Sequence, residues 1–252
     1  MTTAALTRPT AAFAATRLSA HRLAVYVVSP ARRRATGRIG LRAAPSGVLA
    51  TPPFGDGVVV RFEDDRIVRE RRGRPRDAPV TTLGAAAALE LGTPPDVAYA
   101  EGFDVPPPGD PDAPLAWDPG SARLLGDWYR FAWDVLGELR AEAGDGASDI
   151  QLWPEHFDAA FDAPAGEGRA TFGAAPGDPT TPEPYLYVLP PGPVARDDVW
   201  DADGFAGAAL PLSRLLATPD PRATAVAFLR DRRNAAPAAG TLHQQRPGGG
   251  TR

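Results

Sequence analysis

The chain has no cysteine, no lysine, one asparagine (Asn234), one methionine and only three isoleucines, Ile39, Ile67 and Ile150. The absence of cysteine excludes disulfides, thiol catalysis and thiolate metal sites, and fits a reducing compartment such as the cytoplasm. The absence of lysine, beside abundant alanine, proline, glycine and aspartate, is the mark of a GC-rich coding sequence. Arginine runs such as Arg32 to Arg34 and Arg69 to Arg76 therefore read first as solvated surface. No stretch approaches the ~20 apolar residues needed to cross a bilayer. Arg8 and Pro9 interrupt the N-terminal alanine/threonine stretch, and no compact apolar segment of a signal peptide follows. A formal net charge of −4 lacks the basic stripe of a nucleic-acid binder. Neither a membrane nor a nucleic-acid partner is expected, and the composition names no cofactor.

A chain of 252 residues is long enough to bury a substantial core. The apolar pattern places a single α+β domain over residues 13–234, between a disordered N-terminus (1–12) and a disordered tail (235–252). Ala20, Leu23, Ala24, Val27, Val28 and Ala31 recur at helical spacing, although the β-branched run Leu23 to Val28 also suits a strand. Ile39 and Leu41 alternate with Arg38, Gly40 and Arg42, and Val58, Val60 and Phe62 alternate with Val59 and Arg61, as in strands. Asp64 and Asp65 suit a hairpin that sets Phe62 opposite Ile67.

Thr82 is an N-cap for a helix that ends at Gly92. The proline-rich loop 93–119 is long for a compact domain and reads as a lid or as a plain wrapping loop. A helix from Ser121, as cap, to Ala143 carries Leu124, Trp128, Phe131, Val135 and Leu139 on one face. Arg123/Asp127 and Arg130/Asp134 are spaced to pair at i,i+4. Gly126, Tyr129, Trp133 and Gly137 form a second stripe, to be covered by the proline loop, another chain or a ligand. Asp220 and Pro221 open a last helix. The fold class is thus α+β, a mainly antiparallel sheet packed against a long central helix and shorter helices.

Polar groups, aromatics and turn residues concentrate between Asp149 and Pro190. Three segments there alternate: His156 to Phe161, Arg169 to Ala174 and Tyr185 to Val188. If they are adjacent antiparallel strands, Phe157 faces Ala174 and Phe172 faces Val188, because a one-residue slip would reverse every side chain. The other face then carries His156, Asp158, Arg169, Thr171, Tyr185 and Tyr187. Gly173, between Asp158 and Tyr187, leaves a gap in its floor.

Glu155, His156, Asp158, Gly173, Glu183, Tyr185 and Tyr187 are the candidate ligand-binding residues, for a small polar or aromatic ligand. His156, Asp158 and Asp178 are the candidate catalytic or metal-ligating groups, as a hydrolase or isomerase base with its orienting acids, or as ligands of a divalent ion. A third reading is an interaction module that uses the stripe centred on Tyr129 and Trp133. The bland readings stand beside these. Pro154 also suits the start of a short helix to Asp162, and His156, Asp158 and Asp178 suit turn and capping roles.

Ala35 to Ala44, Ile150 to Ala159 and Phe172 to Val188 resemble an uncharacterised protein family of high-GC Gram-positive, actinobacterial bacteria. The resemblance rests on Leu152, Trp153, Pro154, Glu155, His156, Phe157 and Asp158, then Gly173, Pro176, Gly177 and Asp178, then Glu183, Pro184, Tyr185, Tyr187 and Val188. That family has no assigned activity, so the resemblance implies kinship and no catalytic residue.

Overall fold

The computed structural model describes residues 6–236; of the expected end segments 1–12 and 235–252, residues 1–5 and 237–252 lie outside them. The first long element is a continuous helix made of α1 (Phe13–Leu23), a π-helical turn (Ala24–Val28) and α2 (Ser29–Thr36), closed by Gly37 at φ 74°. The helical reading of the Leu23–Val28 run is therefore the right one. Pro30 has no N–H to offer the Tyr26 carbonyl. That carbonyl instead accepts the backbone N–H of Asp96 at 3.2 Å. A break in the helical ladder thus becomes an anchor for the proline-rich loop.

The first sheet is an antiparallel meander of β1 (Arg42–Ala43), β2 (Leu49–Ala50), β3 (Val58–Glu63), β4 (Arg66–Arg71) and β5 (Arg74–Pro79). Phe62 pairs with Ile67 as the pattern predicts, and both are buried. The arginine run Arg69 to Arg76 is largely solvent-exposed, as expected. Arg72 and Gly73, both at positive φ, turn it into a second hairpin, β4–β5. Helix α3 (Leu83–Leu91) has Thr82 accepting the Ala85 N–H at 3.0 Å and ends at Gly92, φ 65°.

The proline-rich stretch behaves as a wrapping loop. Arg22 Nε and Tyr26 Oη donate to the carbonyls of Pro107 and Pro106 at 2.9 and 2.7 Å, and Tyr99 Oη meets Ser29 Oγ at 2.8 Å. Helix α4 (Pro119–Ala143) starts nearly a full turn earlier than expected. Its cap is Asp118, whose carboxylate accepts the Ser121 N–H at 2.7 Å, with Pro119 at the first helical position. The expected i,i+4 pairs are replaced by other partners. Arg130 pairs with Asp127 at 2.7 Å, while Asp134 pairs with Arg222 of the last helix at 2.6 Å. Trp128, Val135 and Leu139 on the buried face of α4 are fully covered, each contributing roughly 1.5–3 kcal/mol by burial.

The second sheet is another antiparallel meander: β6 (Gln151–Trp153), β7 (Asp158–Ala165), β8 (Gly168–Ala175), β9 (Tyr185–Leu189) and β10 (Ala208–Pro211). Short α5 (Leu212–Leu215) and α6 (Pro221–Asn234), capped by Asp220 on the Ala223 N–H at 2.9 Å, complete the chain. Helix α4 packs on β1, β7 and β8 and against α1 and α6, and one hydrophobic core runs through all of them. The two sheets touch through a single rung. Leu41 and Leu152 exchange both backbone hydrogen bonds, at 2.8 and 2.9 Å. Among the described residues no helix is long and apolar enough to cross a membrane.

Candidate functional site

The expected face over Gly173 exists, but it is filled. Phe172 pairs with Val188 as predicted, and Gly173 pairs with Tyr187. The β7–β8 register differs from expectation by two residues, with Ala159 opposite Ala174 and Ala160 opposite Gly173. The cause is the segment Pro154 to Phe157, which is neither strand nor short helix but the turn joining β6 to β7. Phe157 takes φ 56°, outside strand geometry. Its carbonyl accepts Tyr129 Oη at 2.6 Å, and its ring stacks on His21 at 4.7 Å and 7°. The two-residue shift keeps each side chain on its expected face, so the alternation was right while the pairing was not.

Tyr187 reaches diagonally across Gly173 and donates its hydroxyl to Asp158 Oδ2. A Cβ on Gly173 would stand 2.5 Å from both Cε1 and Oη of that ring. The glycine is the seat of an aromatic ring, and the gap is occupied by the protein itself. Phe205 closes the arrangement, stacking on Tyr185 (6.5 Å, 24°) and meeting Tyr187 edge-on (6.2 Å, 78°).

Asp158 is only 6% exposed, and its Oδ1 has no partner. Burial holds its carboxyl above the usual range, against the pull of the Tyr187 hydrogen bond and the His156 charge. Burial and the neighbouring Asp158 likewise push Tyr187 up. His156 stands exposed on the turn, while Glu155 beside it keeps one buried, unpartnered carboxylate oxygen. Asp178 accepts the N–H groups of Thr180 and Thr181 at 2.6 and 2.7 Å and the Tyr185 hydroxyl at 2.5 Å, so it folds its own loop. Glu183 faces α5, accepting the Ser213 N–H and Oγ–H at 2.6 and 2.7 Å. Among the described residues no group of three or more His, Cys, Asp or Glu is arranged to hold a metal ion.

Two side chains that the sequence reading passed over complete this region. His21 Nε2 meets the Pro154 carbonyl at 2.9 Å, and burial lowers the imidazole to about 4. One turn earlier, Arg17 donates to the carbonyls of Pro176 and Pro182 at 3.3 and 3.1 Å. Their i,i+4 spacing on α1 was the available signal.

An open site lies elsewhere, where the two sheets meet. A hollow of about 940 Å³ is lined from three directions, and none of the candidate residues named around Gly173 borders it. Arg38, Gly40 and Arg42 come from one side of the Leu41–Leu152 rung, and Gln151 and Trp153 from the other. Both sets follow from period-two alternation about the buried leucines. The third wall is Trp133, Gly137 and Arg140 of α4, the lower half of the stripe whose cover the sequence left open. The upper half of that stripe is internal. Gly126 packs against the Gly47 carbonyl, and Tyr129 is fully buried.

Electrostatically the hollow is one-sided. Arg140 is engaged by Asp149 at 2.8 Å and by the Ser148 carbonyl at 2.7 Å. Arg32, Arg38 and Arg42 also line the hollow, and none has an ion-pair partner among the described residues. Arg32 departs furthest from the solvated reading. It is 8% exposed, donates to the Gly40 carbonyl and leaves its Nε without a partner. Burial and the nearby Arg38 lower its pKa. Gly40 allows this crowding, since a Cβ there would stand 2.9 Å from Gln151 Cδ. Gly137 is the reverse case, with nothing within 4 Å of an added Cβ. The chain matches no protein-family model, no curated protein and no solved structure.

Proposed function

We propose that the protein binds a small anionic ligand, in the hollow at the junction of the sheets rather than over Gly173. The observation that supports this is the trio Arg32, Arg38 and Arg42, with no carboxylate paired to any of them among the described residues, in a chain whose formal charge is −4. Arg32 is largely buried at the wall of the hollow, and a buried charge is costly unless an opposite charge offsets it. Concave walls concentrate the field of such a cluster and raise the local concentration of anions. The volume, about 940 Å³, lies within the range of small-molecule sites.

The test is anion-dependent melting at constant ionic strength, with phosphate as the probe. At a hundred times its dissociation constant, a bound anion adds about 2.7 kcal/mol, roughly 5–10 °C for a chain of this size. Phosphate also stabilises proteins nonspecifically, so the same titration is run on Arg38→Gln/Arg42→Gln and on Gly137→Leu. The first removes charge and the second fills the hollow from a position with open space around it. An equal shift in all three proteins would overturn the proposal.

A further inference from the structure

Two indole rings share the hollow with the arginines, and they bear on what the anion is attached to. Trp133 and Trp153 are both half-buried and approach from different elements, α4 and β6. Gly137, one turn beyond Trp133 on the same helix face, leaves the space between the indole and Arg140 unfilled. Arg38 and Arg42, two residues to either side of Gly40 on one face of an extended segment, flank the position where Arg32 reaches Gly40. Three guanidiniums without counter-charge suit a compact dianion with several acceptor oxygens, although Arg32 also donates to the Gly40 carbonyl and Arg42 Nε to the Ala43 carbonyl at 3.3 Å. Half-buried indoles suit the face of a planar ring, through stacking that tolerates many ring types.

Resting on the binding reading above, we infer that the ligand is a phosphate monoester of a planar heteroaromatic group, a mononucleotide-like molecule. The phosphate lies among Arg32, Arg38 and Arg42, and the ring lies on the Trp133/Trp153 side. Gln151, whose side chain borders the same space, is available to donate to or accept from the ring edge.

The probes are adenosine 5′-monophosphate, inorganic phosphate and adenosine, titrated by calorimetry and by quenching of tryptophan fluorescence. The monophosphate is expected to bind at least tenfold more tightly than either fragment. Trp133→Leu and Trp153→Leu should each weaken the monophosphate by roughly tenfold, the scale of one lost stacking contact, and leave inorganic phosphate unchanged. Arg38→Gln/Arg42→Gln should weaken both phosphate-bearing probes together. Circular dichroism and melting of each variant confirm that it is folded, and Gly137→Leu provides a blocked hollow with both indoles present. Equal affinity for phosphate and monophosphate would overturn the ring assignment and leave the anion site standing. Binding of the monophosphate undiminished by the arginine changes would overturn the phosphate assignment. If neither phosphate-bearing probe binds, both readings fail.

Discussion

Gly173→Ala tests the architecture of the second sheet most directly, because it separates a glycine that leaves room for a ligand from one that seats a ring. An alanine Cβ would stand 2.5 Å from Cε1 and Oη of Tyr187. The ring has little room to retreat, with Tyr185 at 6.3 Å and Phe205 at 6.2 Å beside it. Forcing it aside is an overpacking event that costs about 1–3 kcal/mol. Loss of the hydroxyl from Asp158, whose Oδ1 is already without a partner, leaves the buried carboxyl unsatisfied and adds about 1–3 kcal/mol.

Alanine recovers about 0.5–1 kcal/mol over glycine in a strand, so the net destabilisation expected is about 1–5 kcal/mol. Urea denaturation reads it as a lowered midpoint at unchanged slope. In a Tyr187→Ala background the same change should be neutral or slightly stabilising, giving a coupling energy of about 2 kcal/mol or more in the double-mutant cycle. Equal cost in both backgrounds would refute the claim that the ring fills the glycine position.

Four further outcomes are expected. His21 titrates at about 4 in the folded chain against 6.5 ordinarily, so between those values the unfolded state holds the extra proton and stability rises with pH. About 3 kcal/mol, present above pH 6.5, is lost by pH 4. Asp158, raised by burial, acts in the opposite direction from pH 3.8 upward. The measurement is therefore the difference in pH slope between the parent chain and His21→Phe, and identical slopes would contradict the burial of a neutral imidazole. Glu183→Ala should cost about 1 kcal/mol, as for a lost helix cap, without changing anion-dependent melting; a change in the latter would return Glu183 to the binding site. Gly137→Ala, in open space on a helix, should stabilise by up to about 1 kcal/mol, and a loss of stability would mean that the wall is not open. Replacing Arg222 or Arg230, which bind Asp134, Glu138 and Glu142 across α4 and α6, by alanine should lower the melting temperature only slightly, and less still at high salt, because exposed ion pairs are screened.

Where a signal is local, the chain was readable. Thr82, Asp220 and Gly92 mark helix ends through bonds made within a few residues. The Phe62–Ile67 and Phe172–Val188 pairings follow from alternation alone. The candidate cleft was misjudged at two points where distant contacts decide. A left-handed phenylalanine has no sequence signature; Phe157 is held there by Tyr129 and His21 from other elements. Alternation assigns Tyr187 to a face but does not say that its ring will lie down across a neighbouring glycine. Arg32 looks like any member of an arginine run until the chain turns at Gly37 and brings Gly40 back against it. The hollow itself depends on Leu41 meeting Leu152, and neither flanking segment carries a local trace of that meeting.

That solitary rung has a kinetic consequence. Each meander is stitched from neighbours in the chain, whereas Leu41 and Leu152 must close a long intervening loop, a contact that is slow to find. The basin between them comes into being only once both halves have docked. An anion captured there would act as a latch on the finished tertiary assembly, slowing its disengagement while leaving the birth of either ribbon untouched.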